Sequence, residues 1–299
     1  MAIFLGIDGG GTKTSCVIGD EKSVLGTGTA DGSNVIRVGK NQARESLGAA
    51  IRQACAAADV VPTQIKRTCV GIAGGARPEI AGIVRRLLSE FVSGEITVAG
   101  DMVIAMEAAF GSGPGVIVIA GTGSIAYGRN SKGETARAGG WGFAISDEGS
   151  GHWIGRSAVT AAMRAYDEGN QDGLLFEHIM KFWGLTTREE LVVAANKSPD
   201  FAALLPAVLS AADASDPTAQ TILTEAGTQL ATLAKIVIAR LFANTGAAPV
   251  SVSGGVFSNS ALVRGIFHKS VHDIYPQASM SAGVVDPVQG ALALARKNT

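Results

Sequence analysis

Residues 3–20 read IFLGIDGGGTKTSCVIGD, an apolar run, three glycines and a second apolar run. This pattern predicts two short strands joined by a glycine turn. Such turns suggest phosphate binding, because their backbone N–H groups can closely approach anionic oxygens. Asp8 stands where the first run meets the glycines, and its carboxylate would repel phosphate. The stretch therefore predicts either an ordinary hairpin or a phosphate site in which a cation separates Asp8 from the phosphate.

Two common nucleotide-binding loops do not fit this turn. A Walker loop requires Gly-x4-Gly-Lys-Ser/Thr, whereas Thr12 separates Gly11 from Lys13. The dinucleotide fingerprint requires a helix after its glycines, whereas the residues after Lys13 have the pattern of a strand.

A second stretch, GVIVIAGTGSIAYGRNSKG at residues 115–133, repeats the first. Residues 11–14 match residues 121–124, and Asp20 matches Asn130 at the same offset. A repeat of domain size predicts two related folding units. Two Gly-Thr hairpins that face each other would bind a polyphosphate through backbone N–H groups and hydroxyls. Asp8 would then hold Mg²⁺ through water, since Mg²⁺ keeps much of its hydration shell.

Composition and charge limit the classes of partner. The 299 residues carry 25 Lys+Arg and 26 Asp+Glu, and this balance argues against nucleic acid or an acidic membrane surface. No apolar run reaches the roughly 18 residues of a membrane span, and the start lacks the features of a secretory leader. Three scattered cysteines, Cys16, Cys55 and Cys69, favour a reducing cytoplasm over disulfides or structural zinc.

Strands and helices alternate along the chain. Residues up to 101 predict the order β-β-β-α-β-α-β, with residues 47, 51, 54, 55 and 58 on one helical face. The last strand of this series ends on Asp101, and Asp286-Pro287 begins a final helix.

Several motifs carry a resemblance to a known superfamily. GIDGGGTKT (6–14), AGTGSIA (120–126) and VSGGVFSN (252–259) resemble the phosphate-1, phosphate-2 and adenosine motifs of actin/hexokinase/Hsp70-like ATPases. AGGWGFAISDEGSGHWIG (138–155), with DGSNV (31–35) and GDMVIAMEAAF (100–110), is similar to the BadF/BadG/BcrA/BcrD group, most closely to N-acetylglucosamine kinases. The match covers essentially the whole chain.

The resemblance implies an α/β fold of two ribonuclease-H-like (actin-like ATPase) domains with ATP and Mg²⁺ in the interdomain cleft. The expected domains are residues 1–110 with a C-terminal helix at about 286–299, and residues 111–285. A cytoplasmic homodimer is expected by the same analogy. The residues implied in phosphate binding are Gly10, Gly11, Thr12, Lys13, Gly121, Thr122 and Gly123. Gly254 and Gly255 would let adenosine lie against backbone.

Asp101 is the candidate catalytic base and a second candidate Mg²⁺ ligand. It would accept the proton of a sugar hydroxyl during phosphoryl transfer. The alternative is a helix N-cap, because Asp is a good cap and a helix is predicted from Met102.

The resemblance also implies a sugar pocket formed by Asn34, Ser124, Gly140, Trp141 and Asp147. Asn and Asp can form paired hydrogen bonds with vicinal hydroxyls, and an indole face can pack against a sugar ring. The alternatives are a core tryptophan and a helix start at Asp147-Glu148. The role of Glu148 stays open, and His152 is interpreted as structural.

The function implied is an ATP-dependent amino-sugar kinase acting on O6 of N-acetylglucosamine. The alternatives are a glucosamine or glucose kinase, a sugar-responsive regulator, and an ATPase activator of an acyl-CoA dehydratase or reductase. The activator would need paired cysteine ligands for an iron–sulfur cluster, and the regulator would need a DNA-reading module.

Overall fold

The structure is a computed structural model that describes residues 2–170, 173–197, 199–243 and 246–297. The chain divides into two compact units. Unit 1 comprises residues 1–113 and 285–299, and unit 2 comprises residues 114–284. The C-terminal segment thus belongs with the first part of the chain.

The first part of unit 1 alternates strands and helices in the order that the sequence predicts. Its elements are β1 (Ile3–Gly9), β2 (Lys13–Gly19), β3 (Val24–Asp31), α1 (Val35–Ala58), β4 (Ile65–Ile72), α2 (Pro78–Leu88), β5 (Glu95–Gly100) and α3 (Asp101–Phe110).

The sheet of unit 1 has the strand order β3-β2-β1-β4-β5. The first three strands pair antiparallel, whereas β4 and β5 run parallel to β1. Helix α1 covers one part of the sheet with the predicted face: Leu47, Ile51, Ala54 and Cys55 are buried. The carboxyl ends of β1 and β5, where Asp8 and Asp101 lie, are therefore on one edge of the sheet.

Unit 2 contains the remaining strands and most of the remaining helices. Its elements are β6 (Gly115–Ala120), β7 (Ser124–Arg129), β8 (Thr135–Gly139), α4 (Gly151–Asp167), α5 (Leu174–Trp183), α6 (Arg188–Asn196), α7 (Leu205–Asp213), α8 (Pro217–Leu241), β9 (Pro249–Ser253), α9 (Gly255–Asn259), α10 (Ala261–His272) and β10 (Ser279–Val285), the last of which ends at the border with unit 1. Its sheet has the order β8-β7-β6-β9-β10, which repeats that of unit 1 strand for strand.

The final helix, α11 (Pro287–Arg296), packs on β1 and α3 within unit 1. Gly6 of β1 and Gly290 of α11 allow the backbone of α11 to contact the backbones of β1 and α3. A Cβ at Gly6 would lie 2.3 Å from the backbone nitrogen of Leu292, and one at Gly290 would lie 1.9 Å from the carbonyl oxygen of Ile104. Helix α11 is thus pressed against the two elements that carry Asp8 and Asp101.

Helix α8 is long and apolar enough to cross a membrane by length and composition. Over half of its most apolar stretch (56%) is buried in the interior. Leu230, Ala234 and Val237 lie in the core of unit 2, against the sheet and α10. This pattern is typical of the core helix of a globular domain.

Candidate active site

The turn between β1 and β2 is the predicted phosphate-1 hairpin. The Gly10 N–H donates to the Lys13 carbonyl oxygen at 3.0 Å, and the Gly10 carbonyl oxygen accepts from the N–H groups of Ser33 and Asn34, both at 3.1 Å. Thr12 and Lys13 are exposed at the tip. The structure thus brings Asn34, a predicted sugar residue, against the predicted phosphate loop.

Thr14 and Ser33, which were not predicted as site residues, stabilise this hairpin through hydrogen bonds. The Thr14 hydroxyl donates to the Asp31 carbonyl oxygen at 2.7 Å and accepts from the Ser33 hydroxyl at 2.8 Å, and both side chains are buried. The segment that follows β3 is thereby tied to the start of β2. Asn34 then caps α1 by accepting from the Ile36 N–H at 3.1 Å.

Asp8 lies at the end of β1 in surroundings that disfavour its charge. Burial, together with the nearby carboxylates of Asp101 and Asp286, raises its pKa to about 7, although Lys13 acts in the opposite direction. These residues come from four separate segments of unit 1. A partly buried carboxylate with acidic neighbours is an environment that a bound cation would stabilise.

Asp101 is the first residue of α3, so β5 ends one residue earlier than the sequence predicted. Gly100 occupies the N-cap position, and the Asp101 side chain accepts from the Met102 N–H at 2.9 Å. Burial raises the pKa of Asp101, while this hydrogen bond lowers it. A raised pKa makes the carboxylate a stronger proton acceptor.

Asp286 is a further carboxylate that sequence reasoning did not assign to the site. It caps α11, accepting from the Val288 N–H at 3.4 Å, and contributes to the raised pKa of Asp8. The Asp-Pro pair signalled a helix start, but its proximity to Asp8 depends on how α11 packs.

The residues around Asp8 suit a hydrated Mg²⁺. Mg²⁺ is usually held by one or two carboxylates and otherwise keeps water and phosphate oxygens as ligands. Among the described residues, no three or more His, Cys, Asp or Glu side chains are close enough to hold a metal ion directly. Asp8 and Asp101, which lie close enough for the charge of Asp101 to raise the pKa of Asp8, match the one or two carboxylates of such a site.

Unit 2 repeats the hairpin at the turn between β6 and β7. The Gly121 N–H donates to the Gly123 carbonyl oxygen at 3.0 Å. The Gly121 and Thr122 carbonyl oxygens accept from the N–H groups of Gly151 and His152, at 2.8 and 3.2 Å. The first residues of α4 thus hold the predicted phosphate-2 turn, much as the residues before α1 hold the turn in unit 1.

Asp147 is buried against the phosphate-2 turn. Its carboxylate accepts from the Ser124 N–H at 3.2 Å, and a Cβ at Gly123 would lie 2.9 Å from its Oδ2. Burial and Glu148 raise its pKa, while the bond from Ser124 lowers it. Its φ of 113° is unusual for a residue other than glycine. Strain of this kind is concentrated at functional sites.

The segment around Asp147 is not a helix start, because α4 begins at Gly151 with Ser150 as its N-cap. The Ser124 hydroxyl donates to the Glu148 carbonyl oxygen at 2.8 Å, and the Glu148 side chain accepts from the Asp147 N–H at 3.2 Å. Glu148 therefore stabilises the loop that carries Asp147.

The loop from Gly140 to Gly149 carries the other predicted sugar residues. The Gly140 N–H donates to the Ser124 carbonyl oxygen at 2.9 Å, which ties the loop to the phosphate-2 strand. Trp141 is 59% exposed, so the alternative of a core tryptophan is wrong.

Gly254 and Gly255 follow β9 as predicted. Gly254 has a φ of 98°, and a Cβ there would lie 2.4 Å from the Ala120 carbonyl oxygen, so glycine is required by the fold itself. Gly255 is exposed, and a Cβ there would have no heavy atom closer than 3.9 Å. Only Gly255 leaves open space beside the backbone.

Comparison with known proteins identifies the class. A family model described as the BadF/BadG/BcrA/BcrD ATPase family matches residues 5–295, and the chain belongs to this family. N-acetylmuramic acid/N-acetylglucosamine kinase of Clostridium acetobutylicum is 32% identical over 99% of both chains. N-acetyl-D-glucosamine kinase of Dictyostelium discoideum is 29% identical over 98% of this chain and 97% of its own.

A solved structure supports the fold. A presumed N-acetylglucosamine kinase from Chromobacterium violaceum superimposes with a TM-score of 0.80 at 26% identity, covering 98% of this chain and 99% of its own. The predicted α/β class with two actin-like ATPase domains is confirmed by this match and by the repeated sheet order.

Proposed function

We propose that this protein is an ATP- and Mg²⁺-dependent kinase that transfers the γ-phosphoryl group to O6 of N-acetylglucosamine. Family membership supports ATP as the phosphoryl donor, and the names of the relatives support an amino sugar as the acceptor. The observation that carries the proposal is the grouping, within unit 1, of a phosphate-type hairpin, Asp8, the partly buried Asp101 and Asn34.

Asp101 would act as the general base. The O6–H proton moves to its carboxylate as O6 forms a bond to the γ-phosphorus, and the bond between that phosphorus and the bridging oxygen of ADP breaks. General-base assistance of this kind contributes about 10²–10⁴-fold. Because the first turn of α3 holds Asp101 by its bond to the Met102 N–H, the carboxylate is positioned before substrate binds.

The two hairpins would bind the phosphates, through Gly10, Gly11, Thr12 and Lys13 and through Gly121, Thr122 and Gly123, with Gly254 and Gly255 beside adenosine. Asp8, with Asp101, would hold Mg²⁺ largely through water, and the ion would neutralise charge on the phosphate oxygens. Asn34, Ser124, Gly140, Trp141 and Asp147 would bind the sugar. We assign homodimer formation by family analogy and a cytoplasmic location from the three unpaired cysteines, all of which are buried.

ADP release tests this proposal. Mg-ATP is supplied with N-acetylglucosamine, glucosamine, glucose or no sugar, and we expect N-acetylglucosamine to stimulate release most strongly. Asp101→Asn should lower kcat about 10²–10⁴-fold with little change in ATP affinity. Glu79→Gln, which removes an exposed acid from the first turn of α2, is the control and should keep full activity.

The alternatives give different results in the same assay. Stronger stimulation by glucosamine or glucose would show that this sugar is the acceptor, and the protein would still be a sugar kinase. Equal release of ADP with and without every sugar would contradict the assignment as a sugar kinase and favour an activator ATPase. The positions of the thiols weigh against an activator, because burial raises the pKa of Cys16, Cys55 and Cys69 and disfavours the thiolates that a cluster needs.

A further inference from the structure

Glu148 lies between two residues whose backbone φ angles are positive. Asp147 has a φ of 113° and Gly149 a φ of 77°. Glycine adopts such angles readily, whereas a positive φ is uncommon for aspartate. A Cβ at Gly149 would lie 2.7 Å from the Ala226 carbonyl oxygen, so α8 leaves no room for a side chain there. The loop is therefore fixed on one side of Glu148, and on the other side the conformation of Asp147 requires stabilisation by neighbouring groups.

The two ends of Glu148 bond to two different parts of the predicted sugar site. Its carboxylate folds back and accepts from the Asp147 N–H at 3.2 Å, through Oε2. Its carbonyl oxygen accepts from the hydroxyl of Ser124, the residue that begins β7 directly after the phosphate-2 turn, at 2.8 Å. Hydrogen bonds to an ionised acceptor are roughly twice as strong as neutral ones. The Glu148 carboxylate is therefore well suited to hold the Asp147 peptide in its unusual conformation.

This conformation sets the direction of the Asp147 carboxylate. Its Oδ1 accepts from the Ser124 N–H at 3.2 Å, whereas its Oδ2 accepts no hydrogen bond from any residue that the structure describes. Asp147 is only 8% exposed. A carboxylate oxygen without a partner in a residue so buried costs free energy. A hydroxyl group of the sugar would supply the missing donor.

We propose that Glu148 is a positioning residue of the sugar site: its carboxylate holds the Asp147 peptide so that Oδ2 of Asp147 accepts a hydrogen bond from a sugar hydroxyl. This inference rests on the proposed function, in which Asp147 binds the sugar. Glu148 itself contacts neither the sugar nor the phosphates. The phosphate-2 turn does not depend on its carboxylate, because the bond from Gly121 to Gly123 and the first residues of α4 hold that turn. Loss of the carboxylate should therefore weaken sugar binding selectively.

Two substitutions of similar size test this role. Glu148→Gln keeps an oxygen that can accept from the Asp147 N–H, whereas Glu148→Met keeps the length of the side chain without that oxygen. We expect Glu148→Met to raise KM for N-acetylglucosamine about 10-fold, the value of one hydrogen bond to a charged group, with kcat and KM for ATP nearly unchanged. Binding that is equal in the ground state and the transition state affects KM alone. Glu148→Gln should stay within about 3-fold of the wild-type KM.

Glu190→Met is the matched control. Glu190 also accepts backbone N–H groups, from Thr186 and Thr187 at 2.7 and 3.2 Å, but at the start of α6, so both KM values should stay unchanged. A double-mutant cycle then tests whether Glu148 acts through Asp147. Asp147→Gly removes the carboxylate and tolerates the φ of 113°. In that background, Glu148→Met should have no further effect on KM for N-acetylglucosamine.

The failures are distinguishable. An additive effect of Glu148→Met in the Asp147→Gly background would overturn this inference and leave the proposed function intact, because Glu148 would then act on the sugar directly. An unchanged KM in Glu148→Met, or an equal rise in Glu148→Gln, would also overturn it. Circular dichroism checks that each variant is folded, and Glu148→Ala repeats the comparison if Glu148→Met is not. A lack of stimulation of the wild-type protein by any sugar would contradict the proposed function and this inference with it.

Discussion

The carboxylate of Asp8 shows how tertiary surroundings change the chemistry of a single residue. Its pKa is raised from 3.8 to about 7 by burial and by two acidic neighbours. The folded chain therefore holds this proton more tightly than the unfolded chain does. The resulting stabilisation is complete below about pH 4 and is lost as the pH rises through 7.

Replacement of Asp8 by asparagine should reveal the free-energy cost of burying the charged form of Asp8. We expect Asp8→Asn to leave the free energy of unfolding nearly unchanged at pH 4 and to increase it by roughly 1–4 kcal/mol at pH 8, because the variant has no buried charge. Urea unfolding without Mg²⁺ or nucleotide, followed by circular dichroism, measures both values. Glu95→Gln, at an exposed acid of β5, is the control. An equal effect of Asp8→Asn at the two pH values would show that burial of the charge is not the cause.

At the scale of elements, both hairpins are fixed by the same device. In each unit, carbonyl oxygens of the turn accept N–H groups from residues at or just before the start of a helix, α1 in unit 1 and α4 in unit 2. The turn carbonyl oxygens therefore accept hydrogen bonds from within the same unit, and this helps to hold each hairpin in one conformation. Two turns with little side-chain bulk can stay ordered in this way.

The contact of α11 with α3 gives an element-scale prediction. A methyl group at Gly290 would lie 1.9 Å from the Ile104 carbonyl oxygen and 2.6 Å from the Ala108 nitrogen, so Gly290→Ala must push the two helices apart. We expect it to lower the free energy of unfolding by about 1–3 kcal/mol or more. It should also reduce kcat, since Asp101 begins α3.

Gly265→Ala is the matched control for this substitution. Gly265 also lies within a helix, α10, but a Cβ there would meet no atom within 4 Å. We expect Gly265→Ala to be neutral or to stabilise the protein by up to about 1 kcal/mol, because alanine favours the helix. Similar effects of the two substitutions would contradict the close-packing argument.

At the scale of the whole molecule, unit 1 is completed by residues from the far end of the chain. Buried Val288, Ala291 and Leu292 of α11 share a core with Phe4 and Ile104. Arg67 and Arg296 add bonds that join the last helix to β4 and to the turn after β2. Unit 1 therefore depends on a segment that follows all of unit 2.

Truncation after Val285 tests this dependence. Loss of α11 would expose the apolar surface of Phe4, Val17 and Ile104, so residues 1–113 should become sensitive to limited proteolysis while a fragment containing unit 2 persists. A chain that lacks only residues 298 and 299 is the control and should resist proteolysis as the full chain does. Equal resistance of the two truncated chains would refute the dependence.

Local patterns predicted much of the fold. The alternation of apolar residues gave the strands of both hairpins, and helical spacing gave the buried face of α1. The repeat at 110 residues predicted two related units, which the sheets bear out. These features follow from sequence because side-chain period and glycine turns act over only a few residues.

What the sequence alone determined is therefore the strands of both hairpins, most other elements of unit 1, the duplication and the family. Tertiary structure alone decided which distant residues meet: Asp286 near Asp8, Asp147 against Gly123, and Arg240 against Arg137. These contacts join segments whose spacing in the chain carries no signal, because they depend on helix packing and on the path of a loop that turns at left-handed glycines. The raised pKa of Asp8 has the same origin, since burial and charge neighbours are properties of the folded chain.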